Sequence, residues 1–287
     1  MNVYTEGTGN ERNFDLAEGE MRSIFQSVGI DWDQLPQTLR ARFKSLNAET
    51  GTVDDEIQAI AYAECLRSVL SPDTLRNVQQ ATLFTDIGKT GPAGASDQEK
   101  DFITRIYSVR EKFSIEQVTL EQFLSQRPKI FLREDHETVY AMGMEGSETM
   151  RTFFNRHAEW TLSLLESVEL PDEVIISAVN HHFLEGVHPG NMIDREGNIQ
   201  YRETHRPFGV QEVYVILLDK YDASRTRGGK THEQAIGWLQ EFVRKFAKGV
   251  LDQYPPHIRE MFEAGIAEMD RALAAPAQQQ EEELAAK

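Results

Sequence analysis

Four short segments of this sequence put imidazoles and carboxylates where apolar side chains belong. In Glu148–Val168, turned at about 100° per residue, Phe153, Phe154, Trp160, Leu164, Leu165 and Val168 form one stripe, and His157 lies near its centre. In Asp172–His182 the buried face is marked by Val174, Ile175, Ala178 and Val179; His182 falls in its middle and His181 at its edge. Asp219 directly follows Val213–Leu218, a run apolar on all sides, so that helix is expected to be buried. Asp86 is flanked by Leu83, Phe84 and Ile87 at a helix end that precedes a glycine turn.

Each of these residues has an ordinary explanation when taken alone. A single inward histidine is what a core imidazole satisfied by one hydrogen bond looks like. Two adjacent histidines turned toward a core are harder to explain by packing, because buried imidazoles need partners for both ring nitrogens. An unpaired carboxylate in an apolar helix costs several kcal/mol or takes up a proton, so Asp219 calls for a metal or an arginine. Together, His157, His181, His182, Asp86 and Asp219 favour a metal site between helices.

The elements expected to position them are helical throughout. A helical pattern runs from Glu20 to about Leu46, broken near Gly29 and at Pro36. Asp54–Leu70 is amphipathic and opens with acids, as the helix dipole favours. Asp73–Phe84 is the next helix and ends in the glycine- and proline-bearing loop 85–92. Asp97–Phe113 and Leu120–Gln126 are expected to be helical and Arg133–Gly146 a loop. Glu148–Val168 and Pro171–His182 are strong helices, the second with Pro171 suited to its first turn. Helices are also expected over Val210–Ser224, Thr231–Tyr254 and Pro256–Leu273. Between them, residues 186–207 are rich in turn formers, and Asp194–Asn198 suits the closure of a short hairpin near 191–205. Few segments alternate with the period of strands, so the expected fold is all-α.

The order Asp86-Ile87-Gly88-Lys89, then His157 opening HAEWTLSLLE, then His181-His182, then LLDKYDA resembles the HD-domain phosphohydrolases. Within them it is most similar to the HD-GYP branch, the bacterial cyclic di-GMP phosphodiesterases. The resemblance covers about Asp54 to Leu273. It implies an HD-domain-like bundle over residues 51–273 with a helical extension before it (1–50), an insertion at about 92–147 and a disordered acidic tail (274–287). It also implies one or two divalent transition metals, iron or manganese. Asp86 would bridge them; His157, His181 and His182 would complete one site and Asp219 would serve the other. Imidazoles and hard carboxylates suit such ions, and paired metals activate water and clamp an in-line displacement at phosphorus. Lys89, Arg225 and Arg227 would then steady the phosphates, with His188 in the loop over the site. A cyclic dinucleotide or other phosphodiester is the implied substrate.

This chain departs from the family pattern at identifiable residues. Thr85 stands where the family has the first histidine of its name, and Phe183 replaces the glutamate after the histidine pair. His188-Pro189 stands in place of the tyrosine-proline of the GYP loop, and Glu185-Gly186 replaces its acidic-glycine pair. No histidine precedes His136, so a ligand from an earlier helix would have to be a carboxylate: Asp55, Glu56 or Glu64, each of which also suits a solvated face. These departures keep open a second expectation, a catalytically degenerate module that binds the nucleotide or docks a signalling protein.

The remaining polar clusters are read as ordinary surface. His136 belongs to Glu134-Asp135-His136-Glu137, an acidic loop; His205 is a loop histidine; His232 and His257 sit near helix starts. Arg225, Arg227 and Lys230 with Gly228-Gly229 make a compact basic turn, the best anion-binding candidate in an acidic chain. A net charge of −17 over 287 residues argues against binding nucleic-acid polymers. The single cysteine, Cys65, excludes an internal disulfide and suits a reducing compartment. No basic start leads into an apolar core, and no apolar run approaches the ~20 residues of a membrane span. A cytoplasmic protein with no membrane partner is expected.

Overall fold

The computed structural model describes residues 18–109, 111 and 113–285, apart from the side chains of 52, 54 and 277–285. Among the described residues the chain is all-α with one two-stranded sheet. Helices α1 (Glu18–Ser27) and α2 (Gln37–Thr50) lead to α3 (Thr52–Glu64) and α4 (Pro72–Phe84). Next come α5 (Asp97–Ser108), α6 (Leu120–Ser125) and α7 (Arg133–Ala141), then α8 (Met150–Leu165) and α9 (Asp172–Val179). A hairpin of β1 (Asn198–Tyr201) and β2 (Thr204–Pro207) precedes α10 (Val210–Thr226). The chain then forms α11 (His232–Glu241), α12 (Lys248–Leu251) and α13 (Pro256–Ala285).

Local chemistry accounts for the helix starts that matter most to the site. Ser71 caps α4 by accepting from the Thr74 amide at 3.2 Å, with Pro72 in the first turn. Thr149 caps α8 by accepting from the Thr152 amide at 3.3 Å. At the centre lies α10, whose Val213–Leu218 segment is buried all round. It is packed by α3, α4, α9, α11 and α13, as its unbroken apolar sequence requires.

Two apolar clusters divide the interior. The larger joins residues of α1 to α4 with those of α8 to α13. Phe25 of α1 and Phe43 of α2 meet Phe84 of α4 edge-to-face, with centroids 6.0 and 5.6 Å away, so the N-terminal helices share the main core. The smaller cluster gathers Phe102, Ile106, Phe123, Phe131, Met150 and Phe153, giving the expected insertion a core of its own.

Several expected boundaries move. Arg133–Ala141, expected as a loop, is helix α7 because Asp135 is buried and accepts from the Leu132 amide at 2.7 Å and from Arg105 at 2.7 and 3.1 Å. The acidic stretch around His136 is therefore partly built into the core of the insertion. The hairpin is closed by Tyr201–Thr204, while Asp194–Gly197 forms the turn behind it, with Ile193 bridging Ile199. Thr231–Tyr254 splits into α11, a π-helical turn at Phe242–Phe246 and α12. Helix α13 continues to Ala285, past Pro276 and through the tail expected to be disordered, in a segment rich in strong helix formers. The polar start, residues 1–17, lies outside the described residues. No helix among the described residues is long and apolar enough to cross a membrane.

Candidate metal centre

Asp86 ends α4 in a conformation that is neither helical nor extended (φ −101°, ψ 1°) and opens a tight turn over Ile87–Thr90. That turn is pressed onto α8 at Gly88. A Cβ added there would overlap the His157 carbonyl oxygen and lie 2.6 Å from the Thr161 nitrogen. Only glycine permits this approach. Buried Thr161 stitches the contact, accepting from the Gly88 amide and donating to the Thr85 carbonyl, both at 3.1 Å. The glycine of Asp-Ile-Gly-Lys thus sets the distance between Asp86 and His157.

Helix α9 ends at Val179, earlier than expected, and His181 and His182 lie in the turn just beyond it. From there both rings reach the His157 ring, with centroids 5.0 and 4.8 Å from it. One ligand atom from each of the three side chains lies within 4.8 Å of the other two. Asp86 Oδ1 is 3.3 Å from His157 Nε2 and 3.9 Å from His181 Nε2.

The protons on these rings follow from their partners. His157 Nδ1 donates to the Phe154 carbonyl, and His181 Nδ1 donates to the Ala178 carbonyl at 2.6 Å. A carbonyl can only accept, so both rings carry their proton on Nδ1. His182 Nδ1 donates in the same way to the Glu185 carboxylate. Two bare Nε2 lone pairs, those of His157 and His181, therefore meet 2.9 Å apart, with the His182 ring beside them. Lone pairs so placed repel unless a cation lies among them. Ligand atoms about 2 Å from a tetrahedral metal are about 3.3 Å from one another, close to the separations here. The N,N,N,O donor set of His157, His181, His182 and Asp86 fits a divalent transition metal.

Electrostatics agree with that fit. Burial and the neighbouring His182 and His157 hold His181 well below the usual histidine range, so it stays neutral and ligand-competent. Burial also lowers His182. Burial alone would raise Asp86, but the Lys89 ammonium and the neighbouring imidazoles hold it well below the carboxylate range. Lys89 pairs directly with Asp86, and its ammonium lies 5.8 Å over the Tyr107 ring of α5. Tyr107 stands edge-on to His157 at 6.0 Å and donates to the Phe154 carbonyl at 3.2 Å, so α5 forms one wall of the centre.

Two further residues belong to the site. Glu56, for which a solvated helix face was the simpler expectation, is 4% exposed on α3. Its carboxyl is raised well above the usual range by burial and by Asp86. The signal was legible, since Val53, Glu56, Ala59 and Ala63 lie on one helical face and are all buried. Lys220, next to Asp219, was not anticipated. Its buried ammonium is 2.8 Å from Asp219 Oδ2, 3.0 Å from Glu185 Oε2 and 3.1 Å from His182 Nδ1. Burial would raise Asp219, but Lys220 and the imidazoles hold its carboxyl down at about 2.

The remaining candidates lie elsewhere. His188 is set against the rings of Phe183 and Tyr254, at 5.5 and 6.2 Å. Phe183 itself stacks on Phe208 at 4.9 Å and is a core aromatic. Arg225 reaches the Tyr62 hydroxyl, Arg227 neighbours Asp222, and Lys230 lies 5.6 Å over the Trp238 ring. The basic turn is thereby bound to protein groups along α3, α10 and α11. His205 and His257 are exposed, while His232 is buried and joins the Tyr221 hydroxyl at 2.8 Å and Asp270 at 3.0 Å. Compared with known proteins, the chain matches no family model, no curated protein and no solved structure.

Proposed function

We propose that this chain is a metal-dependent phosphodiesterase of the HD-GYP type, acting on cyclic di-GMP or a related phosphodiester. The observation that carries the reading is the gathering of one ring nitrogen from each of His157, His181 and His182 within 4.8 Å, beside Asp86. A divalent iron or manganese ion bound there supplies Lewis acidity and an activated water. Hydrolysis joins the water oxygen to phosphorus and breaks one P–O ester bond, with a proton passing to the leaving oxygen. Lys89 offsets charge developing on the phosphoryl oxygens. Glu185 orients His182 through Nδ1, and the Phe154 and Ala178 carbonyls do the same for His157 and His181. Tyr107 closes the wall on the insertion side and limits the access of bulk water.

Thr85 favours a second reading, a catalytically silent relative that binds the nucleotide or docks a signalling protein. Its hydroxyl is spent on the Thr82 carbonyl at 2.9 Å, where the family has a ligating imidazole. Incubation with cyclic di-GMP and Mn(II) or Fe(II) separates the two. Turnover that Asp86→Ala abolishes in a folded protein supports the enzyme. Tight binding without turnover supports the silent module, and neither binding nor turnover defeats both.

A further inference from the structure

We propose that the Lys220 ammonium takes the place of a second metal ion, so that the centre is mononuclear and Asp219 is its internal counter-ion rather than a ligand. The inference rests on reading the imidazole cluster as a metal site and goes beyond it by fixing the number of ions. Lys220 projects from the buried α10, and its side chain is 7% exposed. An ammonium so enclosed needs anionic partners, and it has them in Asp219 at 2.8 Å and Glu185 at 3.0 Å. Those two carboxylates are the anionic groups on the α10 side of the imidazoles. A second divalent ion on Asp219 would lie within a few ångströms of Nζ, in an interior where like charges are poorly screened.

The same lysine also fixes what Glu185 does. Glu185 accepts from both His182 Nδ1 and Lys220, which holds the His182 ring beside those of His157 and His181. On the opposite side Asp86 is paired with Lys89, yet it also reaches His157 Nε2 at 3.3 Å, whereas Asp219 pairs with Lys220. The two aspartates are therefore not equivalent: each is paired with a lysine, but it is Asp86 that also lies within 4 Å of the His157 and His181 Nε2 atoms.

Metal stoichiometry decides the matter without reference to turnover. The full chain, stripped with chelator and titrated with Mn(II), is expected to retain one ion per chain by elemental analysis after gel filtration. Lys220→Gln, and Lys220→Met as a second variant of similar length, free Asp219 and Glu185 and are expected to take up a second ion. Lys220→Arg keeps the charge and stays at one. Circular dichroism establishes that each variant is folded. Two ions on the wild-type chain, or one ion on both neutral variants, would overturn the proposal while leaving the metal site standing. No ion on the wild-type chain would remove the metal site itself and this inference with it. If neither neutral variant folds, the wild-type count alone supports or overturns the proposal.

Discussion

His157 and His181 face each other Nε2 to Nε2 at 2.9 Å, each with its other ring nitrogen committed to a backbone carbonyl of its own turn. The arrangement is a cost to the metal-free fold and a gain to any state with a cation bound. Divalent metal is therefore expected to stabilise the protein, by about 2.7 kcal/mol at a hundredfold excess over Kd. Thermal unfolding with and without chelator measures it. In His181→Ala the metal-dependent shift should vanish, and a shift that persists in that variant would count against the cluster as the binding site.

Gly88 is expected to tolerate no side chain. In Gly88→Ala the new methyl meets the His157 carbonyl and the Thr161 nitrogen, backbone groups that cannot swing aside. A cost of about 3 kcal/mol is expected for such overpacking. Because the turn must lift off α8, Asp86 moves with it, so metal affinity should fall along with stability. Denaturant midpoints and metal titration should both change, and an unaltered affinity would show that the turn does not position Asp86.

Asp222 predicts a pH dependence of opposite sign to ordinary acid denaturation. Burial, with help from Asp55, pushes its carboxyl up to about 8, against the pull of Arg227. The unfolded carboxyl titrates near 3.9. The proton held by the fold thus adds stability that is fully present below about pH 4 and is lost as pH rises through about 8. Asp222→Asn should remove that loss, making the variant more stable than wild type by roughly 2–5 kcal/mol at pH 8. The advantage should shrink toward pH 4. Urea midpoints of both proteins across that range are the measurement, and a pH-independent difference would rule out this titration.

The pairing of Asp135 with Arg105 is expected to hold the insertion together without touching the metal ligands. Asp135→Ala leaves Arg105 and the Leu132 amide without their buried acceptor. A loss of roughly 2–4 kcal/mol is expected, concentrated in α5 to α7. Hydrogen exchange should quicken in those helices while α4, α9 and α10 stay protected. Uniform loss of protection would mean that the insertion and the main core unfold as one unit.

Much of this protein was readable from local pattern. The stripe through α8 already aimed His157 inward, and the apolar run before Asp219 already made α10 the central helix, because a helix fixes which side chains share a face. Capping chemistry at Ser71 sets the start of α4, and the glycine turn after Asp86 sets its end, in the same way. Other features depended on which helices meet. Glu56 shares a helical face with Val53, Ala59 and Ala63, but only the packing of α3 beside Asp86 set its carboxyl against another. Arg133–Ala141 lacked a strong apolar period, and it is helical because Asp135 finds Arg105 thirty positions away. The partner of Asp219 stood next to it in sequence, yet a charged lysine beside an aspartate is usually solvated. It took Glu185, brought in by the turn after α9, to give that ammonium a second anion inside the core. Local sequence determines what each face of a helix contains, but charges are balanced between faces, and only the tertiary structure brings those together.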